Sequence, residues 1–163
     1  MDSYWNLKRR RKTLENEGFK RISQIGIVVK DIEKASAAWA DLLGVEKPNI
    51  IETEDWEKTR MSFRGKPSKA RAKLAFFNFE NITLELIEPV GGPSTWQDFA
   101  EKTGGGIHHL GFNVEDLEGT LNQLEEKGIE VEQKGEYKGG CYIYVNSTCK
   151  LGGIIELLHS YRR

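Results

Sequence analysis

Two stretches of the chain share one pattern: IGIVVKDIEKASAAWADLLGV at residues 25–45 and LGFNVEDLEGTLNQLEEKGI at residues 110–129. Each starts with alternating apolar residues, which predict a strand, and continues through Asp31 or Asp116 into an amphipathic stretch. Because aspartate is a preferred helix N-cap and glycine a common helix end, both stretches predict helices of about three turns, ending at Gly44 and Gly128. Self-similarity of this length indicates two copies of one structural unit.

Three further strand-like segments follow each predicted helix, and turn signals such as KGG and KLGG lie between them in the second half. In the first half these segments are NIIET (49–53), KLAFFNF (73–79) and ITLELIE (82–88). In the second half they are IEVEQK (129–134), CYIYVN (141–146) and GIIELL (153–158). The pattern is therefore β-α-β-β-β, twice, which predicts an α+β fold.

The repeat predicts how the chain is divided. The segments are an N-terminal extension at 1–19, a first module at 20–90, a linker at 91–106 and a second module at 107–160, with 20–160 forming one domain. The linker GGPSTWQDFAEKTGGG surrounds a short helical pattern with glycines and a proline, as expected between modules. The first module also carries a charged insertion at 52–73, which we expect to form a long loop or extended hairpin over the opening.

Composition limits the kinds of partner. The chain has 163 residues, of which 38% are hydrophobic and 30% charged, with a formal net charge of −1. This balance argues against nucleic acid or an acidic membrane as the main partner, and the basic run KRRRK (8–12) is predicted to be a solvated surface. No apolar stretch approaches the roughly 20 residues of a membrane span, and no signal peptide is evident. Cys141 and Cys149 are expected to be free thiols of a cytoplasmic protein.

Four polar side chains occupy unusual places in the predicted strands. Strand side chains alternate between two faces, so if Leu110 and Phe112 face the helix, His109 between them points to the opposite face and His108 to the helix side. The same reasoning applied to the other strands places four side chains on the face away from the helices: Gln24, Glu85, His109 and Glu156. Gln24 matches His109 between the two copies, and Glu85 matches Glu156.

Convergence of these four groups would explain why two carboxylates interrupt apolar strands. An isolated buried carboxylate is costly, whereas two carboxylates around a divalent cation are stabilised. Imidazole, carboxylate and amide oxygen ligands together favour an ion with open water positions. The sequence therefore predicts one divalent ion, Zn, Ni, Co, Mn or Fe, held by Gln24, Glu85, His109 and Glu156.

The pattern resembles the vicinal oxygen chelate superfamily, which includes glyoxalase I, methylmalonyl-CoA epimerase, extradiol dioxygenases and bleomycin-resistance proteins. The resemblance covers about residues 20–160, and it implies that the paired modules form a cupped mixed sheet, with helices outside and the metal at its centre. The four ligand types are similar to those of glyoxalase I. The stretches ELIEPVGGPSTWQDFAEKTGGGIHHLGFNVEDLE (85–118) and STCKLGGIIEL (147–157) are similar to methylmalonyl-CoA epimerases. Family members often dimerise, so a homodimer is a further expectation.

Two departures from the epimerase pattern stand out. Those epimerases usually have histidine at the first ligand position, where this chain has Gln24. They also use a second glutamate base within a stretch that here reads RGKPSKARAK (64–73), without a clear equivalent. A glutamate from the insertion could replace it, and the candidates are Glu52, Glu54 and Glu57.

The resemblance implies an enzyme that acts on a small carbonyl or acyl-thioester substrate. The metal would bind a carbonyl oxygen and stabilise the enolate while Glu156 moves the proton from the neighbouring carbon. If the proton returns to the same carbon, the enzyme is an epimerase, which is a kind of isomerase. If it returns to the adjacent carbon, the enzyme is a glyoxalase I-type lyase that acts on a hemithioacetal. A third hypothesis is a metal-free protein that sequesters small molecules, as bleomycin-resistance proteins do.

Overall fold

The computed structural model describes Phe19 and residues 21–161, so the rest of the N-terminal extension, including KRRRK, lies outside the described residues. The strands are β1 (Ile22–Val28), β2 (Ile51–Glu52), β3 (Ser62–Phe63), β4 (Lys66–Pro67), β5 (Arg71–Asn78), β6 (Thr83–Val90), β7 (Gly106–Asn113), β8 (Val131–Tyr137), β9 (Gly140–Val145) and β10 (Ile154–Ser160). The helices are α1 (Ile32–Leu43), α2 (Trp56–Thr59), α3 (Thr95–Thr103), α4 (Leu117–Glu126) and α5 (Thr148–Leu151).

All ten strands form one mixed sheet in the order β2-β5-β6-β1-β7-β10-β9-β8-β3-β4. The two halves of the chain meet where β1 pairs antiparallel with β7. The only parallel pairs in the described sheet are β1 with β6 and β7 with β10, at equivalent places in the two halves. The predicted α+β fold with repeated β-α-β-β-β order is confirmed. The boundaries proposed for the two modules and the linker stay a prediction.

Helices α1 and α4 cover one face of the sheet, as the alternation predicted. Asp31 and Asp116 cap them by accepting hydrogen bonds from the backbone N–H groups of Lys34 and Gly119. The two equivalent cores beneath them contain alternate residues of the strands. Ile25, Ile27, Leu84 and Leu86 pack with α1, and Val114, Ile155 and Leu157 pack with α4. Because neighbouring residues point the other way, Gln24, Glu85 and Glu156 face the concave side.

Helix α3 differs from the other long helices because it packs on the concave face. It starts at Ser94, whose hydroxyl accepts a hydrogen bond from the backbone N–H of Gln97. Its buried Trp96 joins the apolar cluster that contains Val28, Ile87 and Tyr144, and it donates a hydrogen bond from Nε1 to the Tyr144 hydroxyl at 3.1 Å. The helical part of the predicted linker therefore fills part of the cup.

The insertion at 52–73 forms a hairpin that reaches the far edge of the sheet. It contains α2 and the pair β3–β4, and β3 adds antiparallel to β8 in the second half. Only three residues then separate β4, at one edge, from β5, next to the other edge. Four Cα–Cα steps span at most about 15 Å, so the sheet must curl until its edges approach each other. Of the two predicted forms, a long loop or an extended hairpin, the insertion takes the hairpin, and it joins the two ends of the sheet.

Two smaller expectations concern the cysteines and membranes. Both Cys141, which is buried, and Cys149, which is exposed, are free. Among the described residues, no helix combines the length and the apolar character needed to cross a membrane.

Candidate metal centre

The four side chains singled out in the sequence meet at the centre of the concave face. His109 Nε2 lies 2.9 Å from Glu156 Oε2 and 3.6 Å from Glu85 Oε2. Gln24 Nε2 lies 2.6 Å from Glu85 Oε2, 3.4 Å from Glu156 Oε2 and 3.5 Å from His109 Nε2. One ligand atom from each of Glu85, His109 and Glu156 falls within 4.8 Å of the others. Four strands that are far apart in sequence therefore deliver their polar residues to one point.

Two glycines make room for this meeting. In the β1–β7 pair, Gln24 lies opposite Gly111 and Gly26 lies opposite His109. A Cβ on Gly26 would lie only 2.0 Å from the His109 ring, and one on Gly111 would lie 2.9 Å from Gln24 Cβ. The two glycines occupy the same position in the repeated pattern. The first copy thus supplies Gln24 and the glycine beneath His109, and the second copy supplies His109 and the glycine beneath Gln24.

The cluster is almost completely removed from water. The exposed fraction is 6% for Glu85, 3% for Glu156 and 1% for His109. Burial, together with the nearby charge of Glu156, raises the pKa of Glu85 to about 8. Burial alone would lower the pKa of His109, but the charge and hydrogen bond of Glu156 and the charge of Glu85 raise it overall. Without a cation the site therefore favours binding protons.

These residues fit a divalent metal ion by the chemistry of their donor atoms. Two carboxylates, one imidazole and one amide suit borderline or hard divalent ions, and the surroundings exclude water that would otherwise solvate the carboxylates. Two buried carboxylates so close together need positive charge, which a single imidazolium supplies only in part. In the structure the Gln24 amide turns its NH₂ group towards Glu85, so coordination through the amide oxygen would require a 180° flip of this amide.

His108 was predicted to face the helix side in a structural role, and the structure places it differently. The β1–β7 register shifts after Gly26, so β7 has a bulge that contains one extra residue, His108. Its ring therefore lies beside His109, with 3.0 Å between the two Nδ1 atoms, and packs edge-on against Phe99 and Tyr144. Burial, followed by the effect of His109, lowers the pKa of His108 to about 3. A strict alternation pattern cannot reveal this neighbour, because a bulge interrupts it.

A cavity of about 560 Å³ lies over the cluster. Residues of the insertion and of the β8–β9 turn contribute to its lining. Apolar and aromatic side chains form most of its walls: Ile51, Met61, Leu74, Phe76, Trp96, Tyr142, Tyr144 and Leu158. Of the three insertion glutamates proposed as a second base, Glu52 and Glu54 line the cavity and Glu57 does not. Glu52 pairs with Arg71 and Glu54 with Lys58, each at 2.9 Å.

Comparison with known proteins agrees with this architecture. The family model described as the Glyoxalase/Bleomycin resistance protein/Dioxygenase superfamily matches residues 23–145. An ethylmalonyl-CoA/methylmalonyl-CoA epimerase of Cereibacter sphaeroides is 31% identical over 123 residues, which cover 75% of this chain and 81% of that protein.

Solved structures of methylmalonyl-CoA epimerases share the fold. The enzyme of Mycobacterium tuberculosis superposes with a TM-score of 0.63 at 21% identity, over 93% of this chain and 95% of its own. A methylmalonyl-CoA epimerase in complex with methylmalonyl-CoA and NH4+ gives a TM-score of 0.60 at 20% identity, over 87% of this chain and 95% of its own.

Proposed function

Because the chain belongs to the glyoxalase/bleomycin resistance/dioxygenase superfamily, we propose that it is a metal-dependent enzyme that moves a proton beside a carbonyl, in the manner of methylmalonyl-CoA epimerase. The substrate would be an acyl thioester. The observation that carries this proposal is the buried cluster of Glu85, His109 and Glu156 beneath an apolar cavity. Paired carboxylates at the base of a cavity are costly for a protein that only packs or binds apolar molecules.

Gln24, Glu85, His109 and Glu156 would hold the ion. A divalent ion at this place supplies positive charge that stabilises the negative charge developing on the substrate carbonyl when the neighbouring carbon loses a proton. Glu156 is the proposed base: as the C–H bond breaks, its carboxylate takes the proton and the electron pair moves towards the carbonyl.

The destination of the proton decides which reaction follows. In an epimerase the proton returns to the same carbon from the opposite face, which requires a second acid across the substrate. Glu52 and Glu54 line the cavity, but they form ion pairs with Arg71 and Lys58. Glu85, the other carboxyl group in the cluster, is a proposed ligand of the ion, so Glu52 and Glu54 are the candidates for this second acid.

A glyoxalase I-like lyase that acts on a hemithioacetal is the second candidate. Its support is that both buried carboxylates belong to a single cluster with one glutamine and one histidine. This set of donor groups resembles that of glyoxalase I. In this reaction one carboxylate can take the proton and return it to the adjacent carbon, so no rim glutamate is needed.

Metal analysis of the purified protein tests the part that both candidates share. We expect about one equivalent of a divalent transition metal per chain in the wild type and loss of this metal in Glu85→Ala. Glu52→Ala, which removes a carboxylate from the rim, is the matched control and should retain the metal. A wild-type protein that cannot be loaded with any such ion would instead support a metal-free binding protein.

Two assays separate the candidate reactions. Solvent-deuterium exchange at C2 of methylmalonyl-CoA, followed by NMR, reports the epimerase. Conversion of the hemithioacetal of methylglyoxal and a thiol reports the lyase. We expect exchange and inversion with the acyl thioester; turnover of the hemithioacetal alone would favour the lyase. The cytoplasmic location and the homodimer stay predictions.

A further inference from the structure

His108 makes one hydrogen-bonding contact with a described side chain, and that contact is with His109. The two Nδ1 atoms lie 3.0 Å apart. The other ring nitrogen of His108, Nε2, is buried and forms no hydrogen bond of good geometry with the described residues, although the backbone of Thr95 is a polar neighbour of the ring. Phe99 and Tyr144 hold the ring edge-on from two sides, each at 5.2 Å between ring centroids. Packing therefore fixes the orientation of the ring, and its Nδ1 is directed at His109.

The short distance between the two Nδ1 atoms restricts where the protons lie. A single hydrogen must sit between them, so one nitrogen donates and the other accepts. His109 Nε2 faces Glu85 and Glu156, and it can bind a cation only through its lone pair. The single proton of a neutral His109 must then be on Nδ1. Nδ1 of His108 must then accept the hydrogen bond that His109 donates, and a neutral His108 carries its own hydrogen on Nε2.

We propose that His108 is a positioning residue that holds His109 in the tautomer and orientation needed to bind the metal, a role that rests on the proposed function. In many metal sites a carboxylate or backbone carbonyl accepts the hydrogen bond of the ligating histidine. Here a neutral imidazole performs this role. The β7 bulge makes it possible, because residues 108 and 109 would otherwise point to opposite faces of the strand.

Zinc titration against a chromophoric chelator tests the role of the hydrogen bond. His108→Leu removes the acceptor and is expected to weaken zinc binding by about 10- to 100-fold. His108→Asn should restore most of the affinity, because Oδ1 of asparagine is attached at the same distance from Cβ as Nδ1 of histidine. His159→Leu is the matched control: its Nδ1 lies 3.0 Å from the Val114 carbonyl oxygen, away from the cluster, and zinc affinity should be unchanged.

Nitrogen-15 spectra of the histidine rings in the zinc-loaded protein provide a readout that a purely packing role would not produce. We expect Nδ1 protonation for His109 and Nε2 protonation for His108. The inference is overturned if His108→Leu, shown to be folded by circular dichroism, binds zinc as tightly as the wild type, or if zinc-loaded His109 carries its proton on Nε2. If the wild type itself binds no zinc or other divalent ion, the proposed function fails and this inference falls with it.

Discussion

The two buried carboxylates have similar surroundings but different proposed roles. Glu85 accepts the closest hydrogen bond from Gln24, whereas Glu156 contacts His109 most closely. In the proposed mechanism Glu156 moves the proton and Glu85 mainly binds the metal. Substitutions that change one function and leave the other distinguish the two roles.

Glu156→Gln is expected to abolish proton transfer while keeping the ion bound. The glutamine amide retains an oxygen that can coordinate, but it cannot accept the substrate proton. Loss of a general base costs about 10²- to 10⁴-fold in rate, so kcat in the deuterium-exchange assay should fall by that factor. Metal content, measured on the same sample, should remain near one equivalent. Full activity of Glu156→Gln would mean that another residue is the base. The control is Glu136→Gln, which changes another residue that lines the cavity and should be close to wild type.

Metal binding should depend on pH because the empty cluster holds protons. The pKa of Glu85 in the folded protein, about 8, lies above its ordinary value of 4.5, so the folded metal-free protein retains a proton there between these pH values. An arriving cation must displace this proton. The apparent affinity should therefore rise about tenfold per pH unit up to about pH 8 and then level off, with a steeper slope where His109 is also protonated. Chelator competition at several pH values measures this; an affinity that stays constant between about pH 6 and pH 8 contradicts it.

At the scale of strands and helices, alternation patterns predicted which side chains share the concave face, because successive residues of a strand point to opposite faces. Leu84 and Leu86 pack under α1, which leaves Glu85 only the concave side. The bulge at His108 escaped prediction because it depends on how β7 pairs with β1, a long-range property with no local signal. Gly26 offered a signal of a different kind, since a glycine within a strand often marks a close approach.

Gly26→Ala tests whether the β1–β7 pair sets the position of His109. The new methyl group would lie 2.0 Å from the His109 ring, so the ring or the strand must move. Overpacking of this kind destabilises proteins by about 1–3 kcal/mol, and the displaced imidazole should also weaken metal binding. Denaturant unfolding and zinc competition measure the two effects.

Gly153→Ala provides the comparison for this substitution. A Cβ at Gly153 would have no heavy atom within 4 Å, so both stability and zinc affinity should stay close to wild type. Equal zinc affinity in Gly26→Ala and Gly153→Ala would mean that His109 is not held against β1 as described.

At the scale of the whole molecule, the least predictable feature was how the insertion closes the sheet. Its charge pattern predicted a long loop or extended hairpin over the opening, but the pairing of β3 with β8 joins residues far apart in sequence. Arg64 then fastens the hairpin to α3 and to the second half: its guanidinium donates to Asp98 on α3 at 2.7 Å and to Glu132 on β8 at 2.9 Å. Such contacts are determined by tertiary geometry, whereas the repeated pattern was sufficient to predict the two copies and their shared centre.

A cation at this centre would link the two halves of the protein, and this has a measurable consequence for unfolding. Gln24 and Glu85 come from β1 and β6, and His109 and Glu156 come from β7 and β10, so unfolding of either half destroys the site. Binding only to the folded state stabilises it by about 2.7 kcal/mol at a free metal concentration of 100 times Kd. For a domain of this size that corresponds to a rise in Tm of roughly 5–10 °C. Differential scanning calorimetry of the wild type should show this rise, and a chelator should reverse it. Glu136→Ala should retain the shift; an equally large shift in Glu85→Ala would show that the ion binds elsewhere.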